Sequence, residues 1–306
     1  MNIRSKYALL LLVLTCANHA FAANADSNEF QSHLRDAVEM ARDGKPRHAT
    51  RIAEQSIREW QGHNNEYYAR FVLAVILQHR GDLNNAFLQF QIVADRYDRL
   101  RDQATQRQVA ICRLLMSPER ENGRDPGRRS RRRIVRMLES ILMNDPLGVA
   151  AAAVHYHLGL FYEQAGRDEL ALYYYEAAAN RAQVAEWYDR AFFSTGRVLY
   201  HQSRSRPRDI AVAMESLHVL THYLADPDTS IYHDVAEDMK EGMRDHVHQS
   251  AFERAIFYDR NMFPPLTRRT ALESFLREYP QAPQAAEAAR RLEDVKRRFA
   301  DELNET

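Results

Sequence analysis

Histidine, cysteine and arginine are the residues here whose types and spacing invite chemistry. His218 and His222 are four apart, so on a helix they share a face, with Asp226 one turn further on. Two imidazoles and a carboxylate are zinc donors, and a catalytic zinc takes three protein ligands with one position left open. The residue after His218 is Val219, so the glutamate of an H-E-x-x-H motif is missing. His155 and His157, like His246 and His248, are two apart and diverge on a helix. The sequence has no glycine-rich phosphate loop, nucleophile elbow or cysteine-pair metal motif. These residues argue against an enzyme, and neither cofactor nor metal is expected.

Cys16 and Cys112 are the two cysteines. Cys112 falls on a helical apolar pattern with Ile111 and Leu114, which suits a core thiol better than a reactive one. Arg128, Arg129, Arg131, Arg132, Arg133 and Arg136 form a basic cluster, and Pro118, Gly123, Pro126 and Gly127 mark the stretch before it as a loop, about 117–130. Such a basic loop would suit anionic lipid headgroups or an acidic partner, with contacts screened by salt. The plainer reading is a solvated loop that feeds a helix near Ile134. Arginines there would face the positive end of that helix.

Acidic and basic residues balance at 42 each over 306 residues. Without Arg4 and Lys6 the remainder is mildly acidic, the wrong balance for a nucleic-acid binder. Beyond residue 22 only Lys45, Lys240 and Lys296 are lysines, so the positive charge is almost all arginine, with its planar set of donors.

The elements that must carry these residues follow from a repeated spacing. Leu158, Gly159 and Tyr162 precede Gly166, and Ala171, Tyr175 and Ala178 follow it. The same order recurs as Leu73, Ala74, Leu77, Gly81, Ala86, Phe90 and Val93. Small residues (Ala74, Gly159, Gly196) admit a neighbouring helix, and a large one three further on (Leu77, Tyr162, Leu199) fills the gap above. Gly44, Gly81 and Gly166 end the first helix of a pair, where a left-handed residue is needed. Ala49, Ala86 and Ala171 admit the second helix, and Phe90 or Tyr175 plugs the junction. This order resembles the tetratricopeptide (TPR) helix pair, whose period is about 34 residues.

The spacing predicts an all-α, right-handed superhelical solenoid of about five to six helix pairs with a C-terminal capping helix, in one domain over 30–306. Pairs are expected over 30–63, 67–99, 100–146 (interrupted by the loop), 152–185 and 189–227, the last with an insertion at 203–207. A sixth joins 232–261, one helix or two with a break near Gly242, to 266–279. A polar helix over 282–302 closes the array, as terminal repeats require. No alternating β-branched run predicts a sheet.

Residues 1–22 read as a secretory signal: basic Arg4 and Lys6, an apolar stretch over 8–14, and a small-x-small site at Ala20-Phe21-Ala22. A short linker is expected over 23–29. The apolar stretch is too short to span a bilayer, which takes about 20 residues. Lipidation at Cys16 is the alternative, but Val13-Leu14-Thr15 matches a lipobox poorly. The expected location is the periplasm, with outer-membrane association as an option.

The stretch 268–280, with Ala271, Phe275, Tyr279 and Pro280, is similar to the signature of BamD-like outer-membrane lipoproteins, and Gly81, Ala86, Phe90 and Tyr97 look like a weaker copy. Tyr97 is followed by Asp98 where that signature has proline. The resemblance implies a TPR array that scaffolds assembly of outer-membrane β-barrel proteins.

In TPR arrays the first helix of each pair lines the concave face. That register selects Tyr68, Phe71, Val75 and Gln78; Ala153, Tyr156, Leu160 and Glu163; and Arg190, Phe193, Arg197 and Tyr200. Aromatics with arginines suit capture of a partner's peptide segment; the competing reading packs the aromatics between repeats. The functional expectation is a non-enzymatic adaptor for a protein partner in the cell envelope. A scaffold for cell-wall or polysaccharide-export machinery, or a membrane-surface module using the arginines, is the alternative.

Overall fold

The computed structural model describes residues 25–63, 66–117, 128–206, 209–226, 231–260 and 262–300, and the side chains of 25–28, 128 and 129 are not described. The expected signal peptide, Cys16 and most of the expected loop lie outside the described residues. Among the described residues there are thirteen α-helices and no strand. They are α1 Ala25–Arg42, α2 Pro46–Glu59, α3 Glu66–Arg80, α4 Leu83–Arg96, α5 Arg101–Met116, α6 Arg128–Asn144, α7 Ala151–Gln164, α8 Asp168–Asn180, α9 Ala185–Ser205, α10 Ile210–Ala225, α11 His233–Tyr258, α12 Pro265–Glu278 and α13 Ala285–Arg298. A 3₁₀ turn at Asp98–Leu100 leads into α5. The chain forms two compact units, divided between Leu158 and Gly159 within α7.

Three helix ends repeat one piece of chemistry. Gly44, Gly81 and Gly166 have φ of 76°, 84° and 67°. The amides just after them, of Lys45, Asp82 and Arg167, donate to the carbonyls of Met40, Leu77 and Tyr162 at 2.9 Å. That bond satisfies a carbonyl the helix leaves orphaned, and it requires the left-handed residue between. A Cβ on any of the three would meet no atom within 4 Å, so glycine is required there for backbone conformation, not space.

In the first unit, α3 is the central helix: Tyr67, Tyr68, Ala69 and the whole run from Phe71 to Leu77 are buried. A helix apolar on all sides lies inside a core. Ala86 and Phe90 of α4 are fully buried, and Phe71 meets the Phe90 ring edge-on at 5.3 Å. Buried Gln108 of α5 donates to Gln91 Oε1 (2.6 Å) and the Phe87 carbonyl (3.4 Å) of α4, and Ser140 of α6 donates to the same Gln91 oxygen at 3.4 Å. Ile134, Met137, Leu138 and Ile141 form the buried stripe of α6.

In the second unit, close approach replaces turn geometry as the reason for glycine. A Cβ on Gly159 would sit 2.6 Å from Tyr175 Cδ1, and one on Gly196 would sit 2.8 Å from Leu220 Cδ2. Ala171, Tyr175, Leu220 and Tyr223 have no exposed surface. The closing repeat packs Ala251, Ala255, Leu272 and Phe275 against Ala288, Leu292 and Val295 of α13. Its polar clamp is Asp259, whose Oδ1 accepts from Arg268 Nη2 (3.1 Å) and Nε (3.2 Å) and whose Oδ2 lies 3.4 Å from Arg291 Nη1. Arg268 also lies over the Phe299 ring at 5.3 Å.

Three expectations about element boundaries change, and one left open is resolved. The linker expected over 23–29 is helical from Ala25. The arginines from Arg128 onward are helix, not loop, because burial of the Ile134, Met137, Leu138 and Ile141 stripe outweighs their poor placement at a helix start. The insertion expected at 203–207 is helical through Ser205, with Ser203 fully buried. Of the two readings of 232–261, the structure shows one helix: α11 runs unbroken for 26 residues, with Gly242 beside Tyr200.

Candidate partner-binding surfaces

The aromatics that register placed on a ligand face are largely interior. Tyr68 (5% exposed), Phe71 (6%), Tyr156 (8%) and Phe193 (3%) are buried, and Phe71 and Phe193 pack on rings of neighbouring elements, Phe90 and Tyr232. Val75 and Ala153 are buried as well, while Leu160 and Gln78 are half-buried. A single helical period shows which face a residue takes, not whether the next helix covers that face.

On α9 the predicted row is brought together and engaged within the second unit. Arg197 forms a fork on Glu163, with Nε at 3.1 Å from Oε1 and Nη2 at 2.8 Å from Oε2. Tyr175 donates to the same Oε2 at 2.5 Å. Phe193 stacks on Tyr232 at 4.3 Å with the ring planes 13° apart, and Arg190 Nη1 donates to Tyr232 Oη at 3.0 Å. A Cβ on Gly242 would lie 3.7 Å from Tyr200 Oη, so Tyr200 packs on α11. A fork on a carboxylate fixes geometry as well as charge, so this row sets how α7, α9 and α11 pack.

A buried knot beside this row escaped the sequence reading. Asp189 is 2% exposed; its Oδ1 accepts from Tyr223 Oη at 2.5 Å and its Oδ2 from the Ile231 amide at 3.2 Å. Tyr223 Oη in turn accepts from the Tyr232 amide at 3.3 Å. Burial, then the hydrogen bond to Asp189, pushes the Tyr223 phenol well above its usual range. The 34-residue separation of Asp189 and Tyr223 was the available signal, since Glu163 and Arg197 are spaced identically.

The open site lies between α11 and α12. A groove of about 480 Å³ has Ala251, Ala255 and Tyr258 on one wall and Leu266, Thr270, Ala271 and Phe275 on the other. Its volume is that of a site for small molecules or side chains. Arg254 and Glu278 stand exposed on its rim, one on each wall. At the end of α11 the Phe263 ring contacts Tyr258 at 5.3 Å and Phe257 at 5.5 Å, and Met262 beside them is largely exposed. Ala251, Arg254, Ala255 and Tyr258 fall at i, i+3, i+4 and i+7, a stripe that sequence alone assigns to core.

The remaining chemical candidates separate. His218 and His222 are both exposed on α10, and the His222 ring rests on Phe192 at 5.3 Å. Among the described residues no three His, Cys, Asp or Glu side chains converge on one point. His155 and His157 are buried in α7. The His248 ring packs on Tyr279, and burial, then nearby Arg244, pushes its basicity down. Burial pushes the Cys112 thiol up to about 12. Among the described residues no helix is long and apolar enough to cross a membrane. Arg131 is half-buried on α6, while Arg132, Arg133 and Arg136 are exposed.

No family model matches the sequence, and no curated protein matches it. Among solved structures, the chain is similar to a TPR repeats protein from Bacteroides fragilis, with 14% identity, a TM-score of 0.40, and coverage of 89% of this chain and 99% of that one. It is also similar to a tetratricopeptide repeat protein from Parabacteroides merdae, with 10% identity, a TM-score of 0.37, and coverage of 88% and 99%. The TPR-type assignment of the helix pairs rests on the chain's own three glycine turns and on its small-residue contacts at Gly159 and Gly196.

Proposed function

We propose that the protein is a non-enzymatic scaffold of the cell envelope that captures a segment of a partner protein in the α11–α12 groove. The groove carries this reading: walls of alanine, leucine and aromatic side chains accept apolar knobs, and its rim is charged on both sides. The segment it fits is amphipathic. Its apolar residues recur at helical spacing, with an acidic residue toward Arg254 and a basic one toward Glu278. The Asp259–Arg268 ion pair and the Phe252–Phe275 ring contact already join the two walls, so the groove is formed before the partner arrives.

Support for a periplasmic setting comes from sequence alone, from the signal-like residues 1–22. Support for a role in outer-membrane protein assembly comes from the likeness of 268–280 to BamD-like proteins. The test is a photo-crosslinker at Thr270, on the groove wall, in native cells, with partners identified by mass spectrometry. The purified partner should then bind at least about tenfold more weakly to Arg254→Glu and to Ala271→Phe, the loss expected for an interface hot spot. A β-barrel protein or its assembly factors as that partner supports the outer-membrane role. A cell-wall or polysaccharide enzyme keeps the scaffold and discards that role. A partner that crosslinks at Thr270 yet binds both variants normally refutes the groove.

A further inference from the structure

The charge of α6 is more one-sided than that of the other described helices. Its sequence, RRSRRRIVRMLESILMN, holds six arginines and one acid, Glu139. In α13, by contrast, basic residues have acidic mates: Arg291 pairs with Glu287 at 2.7 Å, Arg298 with Asp294 at 2.7 Å, and Lys296 with Glu273 at 3.2 Å. Among the described residues, Arg132, Arg133 and Arg136 make no hydrogen bond or ion pair. Arg132 and Arg136 are four apart, a like-charge spacing that works against the helix carrying them.

The apolar residues of the same helix supply the second observation. Ile134, Met137, Leu138 and Ile141 are buried on one side. Arg132, Arg136 and Met143 lie on the opposite side, within about 40° of one another at 3.6 residues per turn. Met143 is 84% exposed, and Leu147, just beyond the helix, is 74% exposed. The outward face therefore combines Arg132 and Arg136 with Met143 and one exposed carboxylate, Glu139; exposed Arg133 flanks it, and Leu147 follows beyond the helix end.

We infer that this face of α6 docks on a bilayer surface bearing anionic headgroups. The arginines would meet lipid phosphates, and Met143 and Leu147 would enter the boundary between headgroups and acyl chains. Basic residues with adjacent apolar side chains form the surface that binds such a boundary. An acidic protein would complement the arginines but would leave Met143 and Leu147 without a role. The inference is independent of the α11–α12 groove.

The test is vesicle co-sedimentation of a chain beginning at Ala23, which keeps every described residue. Phosphatidylcholine vesicles with and without a minority of phosphatidylglycerol are compared across a salt series. Binding is expected only with phosphatidylglycerol, weakening as salt rises. Arg132→Gln, Arg133→Gln and Arg136→Gln together should lower it on the order of a hundredfold. The corresponding triple lysine variant should retain it, and circular dichroism should show both folded, since all three positions are exposed and the glutamines also relieve like-charge repulsion. Met143→Ser should weaken binding without changing its salt dependence. Equal binding to both vesicle types overturns the inference, as does a glutamine variant that binds like wild type. Capture by polyglutamate without any vesicle binding overturns it in favour of an acidic protein.

Discussion

Gly159→Ala and Gly196→Ala make the same chemical change at equivalent positions, yet the structure assigns them different outcomes. In a helix interior the new methyl contributes about 1 kcal/mol through propensity. At Gly196 it would meet Leu220 Cδ2 at 2.8 Å and Cγ at 3.1 Å, on a buried aliphatic side chain that is smaller than a ring and has no hydrogen bond to break. The overpacking cost there should roughly cancel the gain, for a net change within about 1 kcal/mol. At Gly159 it would meet two ring carbons of Tyr175 at 2.6 and 2.7 Å. That ring has no exposed surface, and its hydroxyl is held by Glu163. Reaching ordinary contact means moving the ring by roughly 1 Å, which strains or breaks that hydrogen bond as well as the packing around it. Overpacking of about 1–3 kcal/mol and a weakened charged hydrogen bond of about 1.5–3 kcal/mol outweigh the propensity gain. The expected net loss is about 2 kcal/mol, or about 4–8 °C in melting temperature. Urea unfolding in a Trp60→Phe background reads this directly, because Trp187 is then the one tryptophan left and lies in the second unit. Tyr175→Leu should offset much of the loss when combined with Gly159→Ala, since it removes the ring. Stabilisation by Gly159→Ala alone, or equal effects at the two glycines, would refute the close-approach argument.

Asp259→Ala leaves the guanidinium of Arg268, 8% exposed, without its carboxylate, and should cost about 3–5 kcal/mol in urea unfolding; Asp259→Leu with Arg268→Met should recover most of that loss. Phe193→Ala removes a 3% exposed ring stacked on Tyr232 and should lower stability by about 3–5 kcal/mol, read by the Trp187 unfolding midpoint. The Cys112 thiol, raised from 9.0 to about 12 by burial, should resist thiol reagents in the folded chain. Its folded value lies above its unfolded one, so its contribution is intact below pH 9 and is lost as pH rises from 9 toward 12. Cys112→Ala should flatten the stability curve over that window, and an unchanged slope counts against the burial argument.

The pair architecture was legible where one residue type answers one physical demand. Gly44, Gly81 and Gly166 had to be left-handed, and Ala86 and Ala171 had to let a helix approach; the structure places each as expected. Legibility failed where two demands compete. Six arginines and a proline-glycine run argue for loop, but the apolar stripe from Ile134 to Ile141 makes Arg128–Asn144 helical. The stretch 203–207 read as an insertion, yet α9 continues through Ser205 and Ser203 is fully buried. The binding surface was the least legible part. Phe71 and Phe193 have the composition of interface hot spots and are core, whereas Tyr258, Leu266 and Ala271 have the composition of core and line the groove with exposed or half-buried side chains. Depth depends on the neighbouring helix, and sequence period carries no information about it.

The order in which helices touch also bears on how the chain reaches this structure. In the second unit α9 packs on α10, α10 on α11, α11 on α12 and α12 on α13, so most partners are close in sequence. Closing loops this short costs little chain entropy, and structures of this kind fold quickly. Asp189 makes one longer reach, to the amide of Ile231 beyond α10. Its bonds form only when α9, α10 and the start of α11 are all in place. The knot is thus a checkpoint late in assembly: three helices can gather loosely without it, but they become a cooperative unit once it closes. Hydrogen exchange at the Ile231 and Tyr232 amides would time that event, separating the gathering of helices from their commitment to one packing.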